Sequence, residues 1–342
     1  MLIRSIFIFF YCLAFFNSYS QNQKLSVNIF GDIYYSADWS SPASVRRPFF
    51  LVSHSRNNHV AVNNTLINVN FTDTNFRAAV GFHSGSYAEE NYAYEPVMTR
   101  FIFQAQAGIR LYEKIWLDAG VFPSYIGFES ALSIENPTLT RSLTAENSPY
   151  YFSGARITRE SDKLTLGVYL LNGWQRIVND NNELALGTHI KYSLNKNWSV
   201  NSGSFIGKTG VDSLKSLRLF HDLYVAGNIN DKLKLWILSD IGFQENWQTE
   251  NYESWWGSTF VVQYLFNPTF RTSARYEYFS DENYSVITTG SSLPFRISGL
   301  SLNLDFFRTE NICFRIEGKY YQSSIFSGSD NFSTVCSLAF KY

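Results

Sequence analysis

The sequence lacks any long hydrophobic run after its first twenty residues. No later stretch holds about 18 consecutive apolar positions, so the chain encodes no transmembrane helix there. Charged residues make up only 17% of the chain, whereas an average soluble domain has roughly 25%. Aromatic residues reach 18%. Apolar content that is high but never concentrated is typical of a membrane β-barrel, in which one face of each strand meets lipid.

The chain also lacks a strong charge of either sign. Its formal net charge is −1, and removal of residues 1–20, which contain one arginine and no acid, changes it to −2. A protein without a strong surface field is not expected to bind nucleic acid or another polyanion.

Motifs of known catalytic or metal chemistry are missing as well. There is no G-x-S-x-G, H-E-x-x-H, C-x-x-C or phosphate-loop pattern. The acidic stretch at 179–183 lacks the spacing of a calcium loop, so a solvated turn is the preferred interpretation. No enzymatic activity, cofactor or metal site is therefore predicted. The histidines, none of which has an evident partner base and orienting group, are His54, His59, His83, His189 and His221.

The N-terminus reads as an export signal. Arg4 precedes an apolar core at residues 6–16, and the small residues Ser18 and Ser20 stand before a cleavage site at Gln21. This pattern predicts a cleaved signal peptide at 1–20, export through the inner membrane, and a mature single domain at 21–342.

Export leaves two cysteines, Cys313 and Cys336, for which a disulfide is the first hypothesis. If the last two strands form a hairpin with Tyr320 near Phe332, Cys313 lies opposite Ala339. The two cysteines then point to opposite faces of the sheet and cannot bridge. Two free thiols are predicted.

The mature chain repeats one pattern of about ten alternating residues followed by a break. In "KLSVNIFGDIYY", for example, Leu25, Val27 and Ile29 fall on one face, and Ser26 and Asn28 fall on the other. Period-two alternation with one apolar face indicates β-strands. The same pattern recurs in "RFIFQAQAGIRLY", "KLTLGVYLLNGW", "ELALGTHIKY", "KLKLWILSDIGF", "GLSLNLDFF" and "ICFRIEGKYY".

The breaks alternate between short and long. Seven short and eight long breaks separate sixteen strands, although fourteen or eighteen strands stay open. Strict alternation predicts an all-β, antiparallel up-and-down transmembrane barrel with its short turns in the periplasm and its long loops outside. The short breaks are 72–75, 113–114, 160–162, 193–197, 228–232, 266–269 and 308–311. The long breaks are about 36–59, 84–98, 123–149, 173–182, 208–216, 245–254, 280–295 and 321–331.

The polar strand face indicates a water-filled lumen. Sixteen strands form a barrel too wide to fill with side chains, and many buried charges would be costly unless each were paired. Charged members of this face include Arg77, Arg110, Asp118, Arg156, Lys191, Arg271, Arg275, Glu277, Asp305, Arg315, Glu317 and Lys319. Aromatic residues near strand ends are predicted to form interfacial girdles. These are Tyr34, Tyr35, Tyr112, Trp116, Trp174, Tyr192, Trp198, Trp255, Trp256, Tyr278 and Tyr320.

The third long break, 123–149, is the longest, and loops of this length are usually functional or disordered. It carries Glu129, Glu135 and Glu146 against Arg141, a net acidic balance. Folded into the barrel, it would narrow the pore and oppose acids to wall arginines, a field that favours small hydrated solutes. The alternative is a loop packed on the extracellular rim. The wall arginines proposed for the constriction are Arg77, Arg110, Arg156, Arg271, Arg275 and Arg315.

Three motifs near this loop resemble a known family. "AGVFPSYIGFES", then "SPYYFSGARIT", then "LLNGW" are similar to the OmpL-like β-barrel porins of Gram-negative outer membranes, with similarity from about Lys24 to Tyr342. The resemblance implies transport rather than catalysis and supplies no established binding residues. It also suggests that the terminal aromatic Tyr342 is recognised by the barrel-assembly machinery. The positions that match the family are Gly120, Gly127, Glu129, Gly154, Gly173 and Trp174.

The predicted function is therefore a channel in the outer membrane for passive diffusion of small hydrophilic solutes or ions, surrounded by outer-membrane lipid. Homotrimer formation, common among porins, leaves no distinguishing mark in the sequence. The alternative function is a closed or plugged barrel that binds a surface partner through loops such as 36–59 and 280–295.

Overall fold

The computed structural model describes residues 24–210, 214–287, 293–323 and 330–342. The predicted signal peptide at 1–20 lies outside the described residues and stays a prediction. Within the described ranges, no helix is long and apolar enough to span a membrane.

The fold is a closed barrel of sixteen antiparallel strands, each hydrogen-bonded to its neighbours in chain order. The predicted strand number and up-and-down topology are confirmed. The first eight strands are β1 (Lys24–Asp38), β2 (Val60–Thr72), β3 (Phe76–Ser84), β4 (Ile102–Tyr112), β5 (Ile115–Pro123), β6 (Tyr151–Glu160), β7 (Leu164–Leu171) and β8 (Ala185–Ser193). The other eight are β9 (Trp198–Thr209), β10 (Ser216–Asn228), β11 (Leu233–Glu245), β12 (Tyr252–Asn267), β13 (Phe270–Asp281), β14 (Phe295–Thr309), β15 (Ile312–Ser323) and β16 (Asn331–Lys341).

The barrel closes where β1 pairs with β16, with Ile33 opposite Leu338. Ile29 and Tyr342 continue this pairing, since each donates its backbone N–H to the carbonyl of the other at 2.8 Å. The opposite edge of β16 pairs with β15. From Ile29 to Asp38 the edge of β1 is therefore paired at this seam, which lowers the aggregation risk of an unpaired edge.

The cysteine prediction is confirmed. Cys313 lies opposite Ala339 in the β15–β16 register. Its side chain is buried on the inner face, Cys336 belongs to the outward-facing set, and both thiols are free.

The two faces of the barrel wall differ as predicted. Outward side chains such as Leu300 and Leu302 are each 56% exposed, which is expected where lipid replaces water. Inward neighbours such as Asn303 and Glu317 are fully buried. The wall thus presents apolar side chains to the membrane and polar side chains to the lumen.

The girdle prediction is only partly correct. Tyr34, Trp116 and Trp255 are buried and point inward, while Trp174 lies on a connection rather than on a strand. Adjacent strand residues point to opposite faces, so neighbouring aromatics cannot all reach the interface. The exposed members are Tyr35, Tyr112, Tyr192, Trp256 and Tyr320.

Two short helices lie in long connections of the described chain, α1 (Ser86–Asn91) and α2 (Leu143–Glu146). Single 3₁₀ turns occupy Thr99–Phe101 and Ser133–Glu135. Helix α2 begins after Ser142, whose hydroxyl accepts the backbone N–H of Ala145 and satisfies an otherwise unpaired donor of the first turn. This helix belongs to loop 123–149.

Candidate constriction site

Loop 123–149 leaves the wall between β5 and β6, above a pair of facing glycines. Gly120 and Gly154 are directly opposite in the sheet, with φ angles of 132° and 147°. A side-chain Cβ at Gly120 would collide with the Ala105 carbonyl, and one at Gly154 would collide with the Leu170 carbonyl. These two motif positions therefore require glycine, and they interrupt regular strand geometry at the base of the loop.

An aromatic cluster draws the start of the loop into the lumen. The ring of Tyr125 stacks on Tyr169, with centroids 4.2 Å apart, and on Phe152 at 5.1 Å. Its hydroxyl donates to the Ser204 carbonyl at 2.7 Å. Three wall strands, β6, β7 and β9, thus hold the first part of the loop.

The middle of the loop binds the far wall. Leu143 N–H donates to Glu277 Oε2 at 2.6 Å, and Thr140 N–H donates to Glu317 Oε2 at 2.6 Å. Their acceptors lie on β13 and β15. Since β5 and β13 are eight strands apart in a ring of sixteen, the loop crosses the lumen from one side to the other. These contacts do not agree with a loop packed on the outer rim.

Arg275 on β13 is the centre of the far attachment. Its guanidinium lies 2.8 Å from Glu317 Oε1 and 3.6 Å from both Glu129 Oε1 and Glu277 Oε1. It also donates to the Thr140 carbonyl at 2.6 Å. All these charges are buried, and the dense pairing offsets the desolvation that each one costs. Loop and wall therefore touch directly here, without the water-filled gap that the sequence suggested.

Arg315 and Lys319 on β15 extend the same attachment. Arg315 Nε lies 2.7 Å from Asp305 Oδ1, and its Nη2 donates to the Asn136 carbonyl at 3.0 Å. Lys319 Nζ donates to the Arg141 carbonyl at 3.1 Å. Arg275 and Arg315 thus hold the loop, and neither is exposed to a passing solute.

Two charges of the loop itself are also enclosed. Glu129 accepts from the Ser142 hydroxyl at 2.6 Å and from its backbone N–H at 3.0 Å. Burial raises the pKa of Glu129, although the nearby Arg275 and Arg141 oppose this shift. The Arg141 guanidinium stacks over the Tyr150 ring at 4.1 Å.

The remaining loop acids differ in exposure. Glu146 is buried and accepts from the Tyr150 hydroxyl at 2.6 Å and the Ser53 backbone N–H at 3.1 Å. The Glu135 side chain is 44% exposed and lies 3.6 Å from Lys341 Nζ. Of the three predicted loop acids, Glu135 is the one that solvent reaches.

A second group of predicted arginines lies on the near wall. Arg77 Nε donates to Asp118 Oδ1 at 2.6 Å, and Arg156 Nε lies 3.3 Å from Asp118 Oδ2. The Arg77 and Arg156 side chains are 22% and 19% exposed. Both line a cavity of about 160 Å³ together with Asn70 and Gln106. Unlike Arg275, these cations are accessible from open space.

The last two predicted arginines stack on aromatic rings. The Arg110 guanidinium lies 4.9 Å from the Trp116 ring centroid, and that of Arg271 lies 4.2 Å from the Phe307 ring. Such cation–π contacts stabilise a partly buried cation. The six predicted wall arginines therefore do not act as one uniform basic surface.

Several charged residues that point into the barrel were not among the predicted site residues. Asp222 and Asp240 face each other across β10 and β11 and are buried. Arg218 lines a larger cavity at the end of the barrel where the long connections meet. Strand parity could have indicated that Arg218 and Asp222 point inward, because they occupy alternate positions of one strand together with Phe220.

Comparison with known families matches residues 24–340 to the family described as "putative beta-barrel porin-2, OmpL-like". The chain belongs to this family. Its family and its barrel fold place it in the outer membrane, as the sequence motifs predicted. Among curated protein sequences, none matches the chain.

Solved porin structures share the fold. An anion-selective porin from Comamonas acidovorans is 8% identical, with 94% of this chain and 100% of that chain covered and a TM-score of 0.64. The outer membrane channel DcaP of Acinetobacter baumannii is 10% identical, with 95% and 99% covered and a TM-score of 0.63. OmpF of Salmonella typhi, in complex with daunomycin, is 12% identical with the same coverage and TM-score. At these identities the similarity concerns the fold.

Proposed function

We propose that this OmpL-like porin is a passive diffusion channel for small hydrophilic solutes or ions, with loop 123–149 as its constriction. The observation that carries the proposal is the course of the loop. It is attached at β5 and β6 and bound again at β13 and β15, and β13 lies eight strands from β5 around the ring of sixteen. A segment fixed across the lumen limits the free cross-section, which determines the size of solutes that pass.

The accessible polar groups favour hydrated solutes. Arg77 and Arg156 lie beside Asp118, and Glu135 is exposed on the loop. Charges of both signs around a narrow aqueous passage interact well with ions and dipolar molecules and poorly with apolar ones. No enzymatic activity is expected.

The proposed route of the protein to the membrane has two steps, export and insertion. The signal at 1–20 directs export of a Gram-negative protein, and the barrel-assembly machinery inserts the barrel into outer-membrane lipid. Assembly as a homotrimer is part of this proposal.

Planar-bilayer recording tests this function. The purified barrel, checked for folding by heat-modifiable gel mobility, should produce discrete conductance steps. Folded protein without such steps would reject the channel and favour the closed or plugged barrel that binds a partner through its outer loops.

A further inference from the structure

A cavity of about 670 Å³ opens at the end of the barrel where the long connections meet. Its walls come from β9, β10 and β11 and from several connections. Cavities of this size accommodate small organic molecules. This mouth cavity contains a cation that, unlike the other described cations in its lining, has no salt-bridge partner within the described residues.

That cation is Arg218, two residues into β10. Its Nε donates to Gln244 Oε1 at 2.8 Å. Gln244 is itself held, because its Oε1 accepts from Thr209 Oγ1 at 3.1 Å and its Nε2 donates to Ser216 Oγ at 2.7 Å. The guanidinium is thus fixed in direction, while its two terminal nitrogens have no hydrogen-bond partner in the described part of the chain.

The other cations that line the cavity have carboxylate partners. Lys208 Nζ lies 3.3 Å from Glu183 Oε1, and Arg176 Nη2 lies 3.2 Å from Asp180 Oδ2. Across residues 24–210, 214–287, 293–323 and 330–342, no carboxylate lies within salt-bridge distance of Arg218.

The nearby acids are already engaged. Asp281 accepts the backbone N–H groups of Ser285, Val286 and Ile287, each at 2.8 Å. Glu90, which lines the cavity, lies 2.5 Å from Arg46. Glu146, also in the lining, accepts from Tyr150 and Ser53. Among the described cations that line the mouth cavity, Arg218 is therefore the one without an oppositely charged partner at salt-bridge distance.

Two indole rings surround the guanidinium of Arg218. Its carbon lies 4.9 Å from the Trp174 ring centroid and 5.2 Å from that of Trp255. These contacts stabilise the cation but satisfy none of its N–H groups. Further flat apolar surface in the lining comes from Phe49, which is 58% exposed, and from Tyr94, which is 83% exposed.

We propose that the mouth cavity binds a small organic anion, with its carboxylate on Arg218 and its flat apolar body against Trp174 and Phe49. The Asp281 carboxylate attracts Arg218 only from beyond salt-bridge distance, so within the described residues the terminal nitrogens of this enclosed guanidinium have no acceptor. A ligand carboxylate can pair with its planar fork through two hydrogen bonds. This inference rests on the proposed channel function and assigns a solute class to it. The site selects solutes at the mouth of the channel, in a cavity whose lining includes Glu146 of loop 123–149.

Benzoate is the direct probe. Calorimetric titration of the folded, detergent-solubilised chain should show benzoate binding, and benzyl alcohol, which has the same ring without the charge, should bind at least about tenfold more weakly. R218Q should weaken benzoate binding about tenfold or more, because it removes the guanidinium that pairs with the carboxylate. K208Q, which changes a paired cation of the same cavity, should alter the affinity by less than about twofold.

Heat-modifiable mobility of R218Q excludes misfolding as the cause. R218K provides a second variant, which keeps the charge but loses the planar fork and should bind benzoate with intermediate affinity. Equal benzoate affinities for R218Q and the unmodified chain would overturn the site. Inorganic phosphate binding as tightly as benzoate would overturn the assignment to an organic anion.

The result is separable from the test of the channel. Conductance steps without benzoate binding would refute the mouth site and leave the channel intact. Arg218-dependent benzoate binding by a barrel without conductance steps would refute the channel, and with it the role of the site in solute passage.

Discussion

Arginines on the two sides of the lumen have different environments, although strand parity assigns all of them to the inward face of the wall. On the far wall, Arg275 and Arg315 are fully buried, paired with carboxylates, and bonded to carbonyls of loop 123–149. On the near wall, Arg77 and Arg156 share Asp118 and remain about one-fifth exposed beside a cavity. The comparison separates arginines that hold loop 123–149 against the wall from arginines that open space reaches.

The largest expected effect follows from R275Q. This change removes the cation that lies 2.8 Å from Glu317, while Glu277 keeps Lys319 at 3.1 Å. Breaking a buried pair such as Arg275–Glu317 costs about 3–5 kcal/mol. The loop should detach from the far wall, so the conductance should become larger and noisier and the loop should become sensitive to limited proteolysis. Proteolysis indistinguishable from that of R156Q, the near-wall control, would contradict the anchoring role.

R156Q itself should change selectivity without moving the loop. Arg156 is partly exposed, and Asp118 keeps Arg77 as its partner. Loss of one accessible positive charge should shift the permeability ratio toward cations by roughly twofold, as measured by the reversal potential in a salt gradient. If the reversal potential did not change, the near-wall arginines would not face the ion path.

E135K should produce a smaller shift in the opposite direction, toward anions. Glu135 is exposed and its contact with Lys341 is 3.6 Å, so screening weakens its influence. The same reversal-potential measurement applies, with unchanged proteolysis as the control. A shift toward cations would show that this acid is not the charge that ions sense.

E129Q should have the smallest effect of the four. Burial raises the pKa of Glu129, so ionisation of this group costs folding free energy. The contribution of Glu129 to the free energy of unfolding therefore falls as the pH rises through its raised pKa. The neutral amide of E129Q removes this pH dependence. Conductance and proteolysis should stay close to those of the unmodified barrel at neutral pH. A loop released as in R275Q would show that the carboxylate charge is required.

Most of the fold could be predicted from the sequence because strand alternation and loop length are local signals. The period-two pattern and the alternating break lengths together predicted sixteen strands, and the parity of the β15–β16 hairpin placed Cys313 and Cys336 on opposite faces. Aromatic residues were harder to place. Trp255 and Trp256 are neighbours of one type, but one is buried in the lumen and the other faces lipid.

The site was less predictable because its contacts join distant segments. Arg275 bonds to Thr140, and Arg315 bonds to Asn136, over separations of 135 and 179 residues. Strand parity predicts that these arginines point inward. It does not indicate which loop residues they contact inside the barrel. Arg218 illustrates the same limit, since the distances between it and the carboxylates of the described residues depend on segments that are far apart in the sequence.

The crossing loop also has a mechanical consequence. A ring of strands flattens more easily than it stretches, because flattening only bends the sheet while stretching breaks its hydrogen bonds. Loop 123–149 ties β5 and β6 to β13 and β15 across a full diameter. We therefore expect the loop to act as an internal strut that resists flattening of the barrel.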